Sequence, residues 1–225
     1  MWCCFHARAA AGVFSRLARW YRWRYRWLGL ERSQRHLVAG LAGIGYRGAS
    51  LLEIGCGVGW LHQWLLRHGA GTAVGVDLSP EMVAQAHRLA RQQGLAQRVR
   101  YQVGDFLDLA PAIEPADIVI LDKVICCYPD AEALLAKAAA KSRRALALVY
   151  PRTHPFSRAL HALFNACLAG IGSDFRTWLH DPADVARWLS ECGMGLAYRA
   201  FTGLWRVEIF TRIKTAAAER GRMAS

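Results

Sequence analysis

Between residues 50 and 150, short apolar runs alternate with longer stretches whose apolar positions return every three or four residues. The runs are Ser50–Gly55, Thr72–Asp77, Val99–Gly104, Asp117–Asp122 and Ala145–Tyr150, and segments near 60–69, 80–93 and 130–142 carry the helical period. A run as continuous as Asp117-Ile-Val-Ile-Leu121 suits a parallel strand covered on both faces. The alternation predicts an α/β protein with a Rossmann-like, doubly wound sheet. Ser79-Pro80 and Asp181-Pro182 each read as an N-cap followed by proline at the first helical position, the second opening a helix over 182–193. Gly195–Phe201 and Leu204–Arg212, joined at Thr202-Gly203, predict a closing antiparallel hairpin.

Two segments stand outside this pattern. Residues 1–45 form one, and residues 151–180 the other, thirty residues where a strand-to-helix link needs only a few. An insertion at the carboxyl end of a strand suits a lid over a site. The division expected is an N-terminal helical cap over 1–45, a cofactor-binding core over 46–150, a substrate lid over 151–180, and a last helix and hairpin over 181–213. All belong to one domain, which is what 225 residues can bury around a single core.

Composition changes this picture in one respect. An apolar fraction of 54% with 20% charged residues describes a folded chain, but the net charge of +12 is large and uneven. Residues 1–40 hold eight arginines against Glu31 alone. Only four of the 29 basic residues are lysines, so coding bias and a selected surface for polyanions both remain open as the source. The seven cysteines form no C-x-x-C and no metal-ligand spacing, which suits reduced thiols in the cytoplasm. Arginines interrupt residues 8–26 where a signal peptide needs an apolar run, and Ala159–Ser173 is too short to span a bilayer.

The chemistry concentrates at strand ends. Glu53-Ile54-Gly55-Cys56-Gly57-Val58-Gly59 ends the first run and opens a helix, where glycines let the backbone turn tightly and approach a ligand. A dinucleotide fingerprint needs its third glycine at position 60, which is Trp60, so the dehydrogenase reading weakens. Asp77 ends the second run and can accept hydrogen bonds from both hydroxyls of a ribose. Gly104-Asp105-Phe106 ends the third, an acid, an amide and a ring suited to an adenine edge, and Asp122-Lys123 ends the fourth.

E-x-G-x-G-x-G, V-G-V-D, G-D-F and D-I-V-I-L-D, in this order over residues 50–150, resemble the motif set of class I S-adenosylmethionine-dependent methyltransferases. More loosely the chain resembles the quinone and magnesium-protoporphyrin methyltransferases. The resemblance implies a seven-stranded sheet closed by a reversed strand, S-adenosylmethionine as cofactor, and transfer of its methyl group to a small molecule, lipophilic or acidic. It implies that Glu53, Gly55, Gly57 and Gly59 hold the methionine and ribose portion, with Cys56 and Leu78 beside them. Asp77 would then bind the ribose diol, Asp105 and Phe106 the adenine, and Asp122 the methionine end or the acceptor.

A base is needed only where the acceptor must lose a proton. The candidates are Tyr150, His154 and His180, with His161 also in the insertion, and Tyr150 to His154 are expected to face the crevice. Cys126-Cys127 lacks the pattern of nucleophilic methyltransferases. In the N-terminal stretch Leu17, Tyr21, Tyr25 and Leu28 share one helical face, Trp20, Trp23 and Trp27 a second, and Arg16, Arg19, Arg22 and Arg26 a third. Three roles compete for it: capping the active site, peripheral contact with a membrane, and nucleic-acid binding, the last being the weakest. An RNA methyltransferase and a non-catalytic cofactor-binding protein are the alternatives to the small-molecule reading. Oligomeric state is not legible.

Overall fold

The computed structural model describes residues 2–213, leaving aside the side chains of residues 2–8 and of Arg26. Two helices come first, α1 (Trp2–Leu28) and α2 (Arg32–Ile44), parted at Gly29, whose amide caps α1 by donating to the Tyr25 carbonyl at 3.0 Å. Strands and helices then alternate: β1 (Ser50–Ile54), α3 (Trp60–Arg67), β2 (Thr72–Asp77), α4 (Pro80–Gln92), β3 (Val99–Val103), α5 (Phe106–Leu109), β4 (Ala116–Asp122), α6 (Ala131–Ala140) and β5 (Ser142–Pro151). α7 (Pro155–Gly170) occupies the insertion, and an extended return leads to α8 (Pro182–Glu191) and the hairpin β6 (Met194–Phe201) and β7 (Trp205–Arg212).

The seven strands form one sheet in the order β3-β2-β1-β4-β5-β7-β6, parallel except for β7, which runs antiparallel to β5 and β6. The doubly wound sheet and its reversed strand agree with the sequence reading. Alternation within strands builds two cores. Leu52, Ile54, Val119, Leu121, Leu148 and Tyr150 face α6 and α8. Leu51, Ile118, Ile120, Ala147, Val149 and Ile209 face α2 and α3. With both faces buried, no polar alternation survives, which is why the runs read as continuous.

Caps set where the helices begin. The Ser79 hydroxyl accepts from Met82 N at 3.1 Å, and the carboxylates of Asp130 and Asp181 accept from Ala133 N at 2.9 Å and Ala183 N at 2.8 Å. Strand order changes direction between β1 and β4. The carboxyl ends of β1, β2 and β4 therefore border one crevice, the usual ligand position in an open α/β sheet.

Candidate functional site

That crevice is a cavity of about 1080 Å³ counted to its open mouth, floored by the loop from β1 to α3 and walled by α1. At the floor Gly55 and Gly57 adopt φ of 65° and 53°. A Cβ at Gly55 would lie 2.5 Å from Val124 Cγ2, whereas one at Gly57 would meet only Met82 Sδ at 4.0 Å and would point into open space. Gly57 is therefore a place where a ligand can touch backbone. Gly59 differs. Its Cβ would strike Gln63 Nε2, Tyr101 Oη and Ala86 Cβ at 2.7–3.0 Å, so this glycine serves the packing of α3 and α4, and it does not line the cavity.

Asp77 ties the floor to β2, Oδ2 accepting from Gly57 N at 2.7 Å and Oδ1 from Ser79 N at 2.8 Å. Burial pushes its carboxyl up to about 6 against these amide bonds, and it still lines the cavity with Leu78 and Cys56. Glu53 reaches the cavity too, but its Oε2 is held by His62, from the backbone amide at 3.2 Å and from Nδ1 at 2.5 Å. Both side chains are buried. His62 Nε2 meets Tyr101 Oη at 2.8 Å, completing a polar spine beneath the loop, and burial raises the Glu53 pKa.

Phe106 and Asp105, both expected at the adenine, are placed differently. Phe106 lines the cavity, whereas Asp105 caps the short α5, accepting from Leu107 N at 2.8 Å and from the Tyr128 hydroxyl. The Gly-Asp-Phe motif gave no sign of that four-residue helix, so the acid's local partner was missed.

The opposite wall comes from the N-terminal helices. Phe14, Tyr21 and Tyr25 of α1 face inward, and Tyr25 stacks on Trp60 with centroids 5.9 Å apart at 14°. Beside them lies a charged cluster. Lys123 Nζ pairs with Glu31 at 3.0 Å and Asp122 at 3.2 Å, Arg24 pairs with Glu31 at 2.8 Å, and Gln34 Nε2 donates to Asp122 Oδ2 at 2.6 Å. Burial lowers the Lys123 pKa, but the two carboxylates outweigh it and the ammonium is held. Lys123 has φ of 64°, the one non-glycine at positive φ among the described residues, a strained backbone that the cluster and its 2.8 Å amide bond to Val149 O keep in place. Asp122 was expected here. Lys123 was read beside it at the end of the fourth run, whereas Glu31 and Gln34 were not, because single polar residues near a helix start carry no period to read.

The three candidate bases lie outside the cavity. Tyr150 shares the parity of Leu146 and Leu148, so it points into the core under α6 and α8, where its hydroxyl donates to the buried Glu208 carboxylate. Burial raises its pKa. This corrects the expectation that it faces the crevice. His154 is exposed and caps α7, Nδ1 accepting from Phe156 N at 3.1 Å. His180 Nε2 donates to the Ile125 carbonyl at 2.8 Å, and burial lowers its pKa. His161 bonds Thr177 Oγ1 at 2.7 Å. The thiols of Cys56 and Cys127 are pushed well up, Cys56 by burial and Cys127 by its bond with Cys126 and by burial, which leaves neither as a thiolate nucleophile.

Comparison with known proteins agrees with this geometry. Residues 51–146 match the family described as a methyltransferase domain. The ubiquinone biosynthesis O-methyltransferase of Coxiella burnetii (strain Dugway 5J108-111) is 26% identical over 163 residues, 67% of this chain and 65% of that protein. The chain thus spans about two thirds of the length of the curated relatives it matches. Magnesium protoporphyrin IX methyltransferase from Synechocystis PCC 6803, solved with bound S-adenosylmethionine, superposes with a TM-score of 0.69 at 21% identity, covering 92% of this chain and 97% of that one. An O-methyltransferase family protein from Burkholderia thailandensis gives a TM-score of 0.70 at 20% identity, covering 91% and 61%. The fold is that of the class I methyltransferases.

Proposed function

We propose that this chain, which carries the class I methyltransferase fold and a methyltransferase domain over residues 51–146, is an S-adenosylmethionine-dependent methyltransferase acting on a small, largely apolar acceptor. One observation carries the reading: a single cavity joins the Gly57 turn and the Asp77 carboxylate to an aromatic wall from α1 and a charged cluster at Asp122.

The residues present fit that cofactor. The open space over Gly57 admits a ligand against backbone, the Asp77 oxygens can each accept a further hydrogen bond from a ribose, and Phe106 offers a surface for adenine. Asp122 Oδ1 is buried, with the Lys123 ammonium 3.2 Å away as its partner. It is placed to hold an ammonium or hydroxyl brought by a ligand. Bound S-adenosylmethionine supplies a methyl group already activated on a sulfonium. What the chain must do is align the acceptor in line with it and exclude water. Tyr25, Tyr21 and Trp60 serve both ends, offering an aromatic wall to a flat acceptor and closing the cavity. Tyr150, His154 and His180 take no part in the transfer, and proton removal, where the acceptor requires it, falls to the Asp122 cluster.

No helix among the described residues is long and apolar enough to cross a membrane. The reading includes a cytoplasmic location with peripheral contact at a membrane surface, favoured by the apolar cavity wall and by the exposed Trp20, Trp23 and Trp27 on the far side of α1.

Calorimetric titration with S-adenosylmethionine and S-adenosylhomocysteine, with NADH as control, tests the cofactor. Micromolar binding of the sulfur ligands alone supports it and leads to an acceptor screen among lipophilic phenols and acids. Binding of NADH alone, or of none of the three, overturns it. Transfer to RNA with a steep salt dependence would replace the small-molecule acceptor with a nucleic acid.

A further inference from the structure

α7 is amphipathic the wrong way round for a helix packed on a core. Phe156, Leu160, Leu163 and Phe164 fall on one face and point to solvent, with Phe156 64% and Leu163 61% exposed. Ile171, just past its end, is 78% exposed. His161 and Asn165 point inward, while Arg158 stays exposed beside the stripe. Asn165 Nδ2 donates to Thr177 O at 2.9 Å and its Oδ1 accepts from Thr177 N at 3.0 Å, while His161 bonds the Thr177 hydroxyl at 2.7 Å. A side-chain amide matched at both ends to one backbone residue allows a single rotation of the helix, and that rotation turns the leucines and phenylalanines outward.

The helix is seated beside the cavity mouth. Leu168 of α7 packs with Ala10 of α1 and with Phe175, and Phe14, which lines the cavity, meets Phe175 edge-on at 5.7 Å. α1 also shows an outward face, with Trp20, Trp23 and Trp27 exposed and Arg16 and Arg19 next to them. α1 carries six arginines and α7 one, with no aspartate or glutamate in either helix.

We propose that α7, with the tryptophan and arginine face of α1 beside it, docks this protein on an anionic lipid surface. The partner follows from charge. An apolar stripe flanked by arginines and tryptophans seats in the headgroup layer of a negatively charged bilayer, where each basic residue adds attraction and each indole fits the interface. A second copy of this chain would bring cationic helices against cationic helices. The inference deepens the peripheral contact proposed above and rests on it only for lipid as the partner. It leaves the mouth walled by α1 next to the bilayer, where a lipophilic acceptor is concentrated.

Flotation with vesicles of phosphatidylcholine alone, and of phosphatidylcholine with about a third phosphatidylglycerol, tests the proposal on the full chain. The protein floats with the anionic vesicles and not the neutral ones, and Leu163→Glu with Phe164→Ser lowers the bound fraction at least tenfold. Leu196→Glu, at a comparably exposed leucine on β6, leaves it unchanged. A thermal melt of the α7 variant at the wild-type midpoint shows that its fold is intact. Wild-type protein that stays with neither vesicle overturns the proposal, as does flotation indifferent to the α7 variant. A concentration-dependent dimer abolished by that variant, without vesicle binding, would assign the face to a second copy. Vesicle binding needs no donor, so loss of the donor reading and loss of the docking reading are seen separately.

Discussion

Glu31 and Lys123 meet in a 3.0 Å ion pair that joins the start of α2 to the end of β4 at the wall of the cavity. The same carboxylate holds Arg24 of α1, so one residue fastens both N-terminal helices to the sheet. Burial raises the Glu31 pKa, but Lys123 and Arg24 outweigh it and hold the carboxyl below its usual range.

Glu31→Gln removes both pairings and leaves Lys123 with Asp122 alone. The expected cost is ~1–2 kcal/mol, a fall in Tm of about 2–8 °C at pH 7. Because the folded value is depressed, this stabilisation is present above the ordinary glutamate range and is lost as pH falls through the folded value. The gap between wild type and variant in thermal melts is therefore full at pH 7 and narrows below about pH 4. A gap that is flat with pH would sink the assignment.

Donor affinity is expected to depend on pH, with Asp77 as the ribose ligand proposed above. With its carboxyl pushed up to about 6, the ionised form that accepts ribose hydrogen bonds is depleted at pH 5 and dominant at pH 7.5. Calorimetry should show binding of S-adenosylhomocysteine tightening as pH rises through this range, with a proton released on binding. Asp77→Asn binds at least tenfold more weakly at pH 7.5 and loses the pH dependence.

The glycines separate by role. Gly57→Ala places a methyl group in open space, so its stability cost is that of a left-handed alanine, ~1–2 kcal/mol, while donor binding falls at least tenfold. Gly59→Ala drives a methyl group into Tyr101, Gln63 and Ala86 and costs more stability, ~2–4 kcal/mol, with donor binding weakened less in the fraction that folds. The reverse ordering in paired melts and titrations would return Gly59 to the binding surface.

These contrasts show what the sequence could and could not carry. Strand positions were legible because both faces of the sheet are buried, and the Gly55–Gly57 turn and Asp77 were legible because strand ends in this fold border the crevice. Gly59 shares its motif with Gly57, and what tells them apart is packing against Gln63, Ala86 and Tyr101, the last two far along the chain. Tyr150 was misplaced because a continuous apolar run hides which residues point to which face. The cap that Asp105 gives α5 was not legible, because nothing in Gly-Asp-Phe marks that short helix. The period of α1 grouped Leu17, Tyr21, Tyr25 and Leu28, of which the tyrosines line the cavity and the leucines are exposed, and the Glu31 cluster joins three elements and has no local signature.

His62 and Glu53 form the buried support of the floor. His62→Phe leaves the Glu53 carboxylate without its partner and should cost ~3–5 kcal/mol at pH 7. Burial already raises the Glu53 pKa, so the variant recovers part of this loss as the pH is lowered and the carboxyl protonates. Denaturant midpoints at pH 7.5 and 5 read the recovery. An equal loss at both would mean that packing, not charge, sets the cost.

The residues outside the cavity should be dispensable for transfer. Tyr150→Phe, His154→Ala and His180→Ala are expected to keep kcat within about threefold of wild type, with Tyr150→Phe costing ~1 kcal/mol in stability for its bond to Glu208. A loss of kcat beyond a hundredfold in any of them, with KM unchanged, would restore that residue to the chemistry.

The place of β7 between β5 and β6 has a consequence for how the molecule comes into being. Every residue lining the cavity lies between Ala10 and Tyr128, whereas the strand that joins β6 to the rest of the sheet is Trp205–Arg212. During synthesis the walls of the cavity are therefore translated long before the sheet can close, and β5 waits with an unsatisfied edge until the last strand arrives. Pairings so distant along the chain form late and slowly, so the cavity is complete only after a strand that supplies none of its lining residues has joined the sheet.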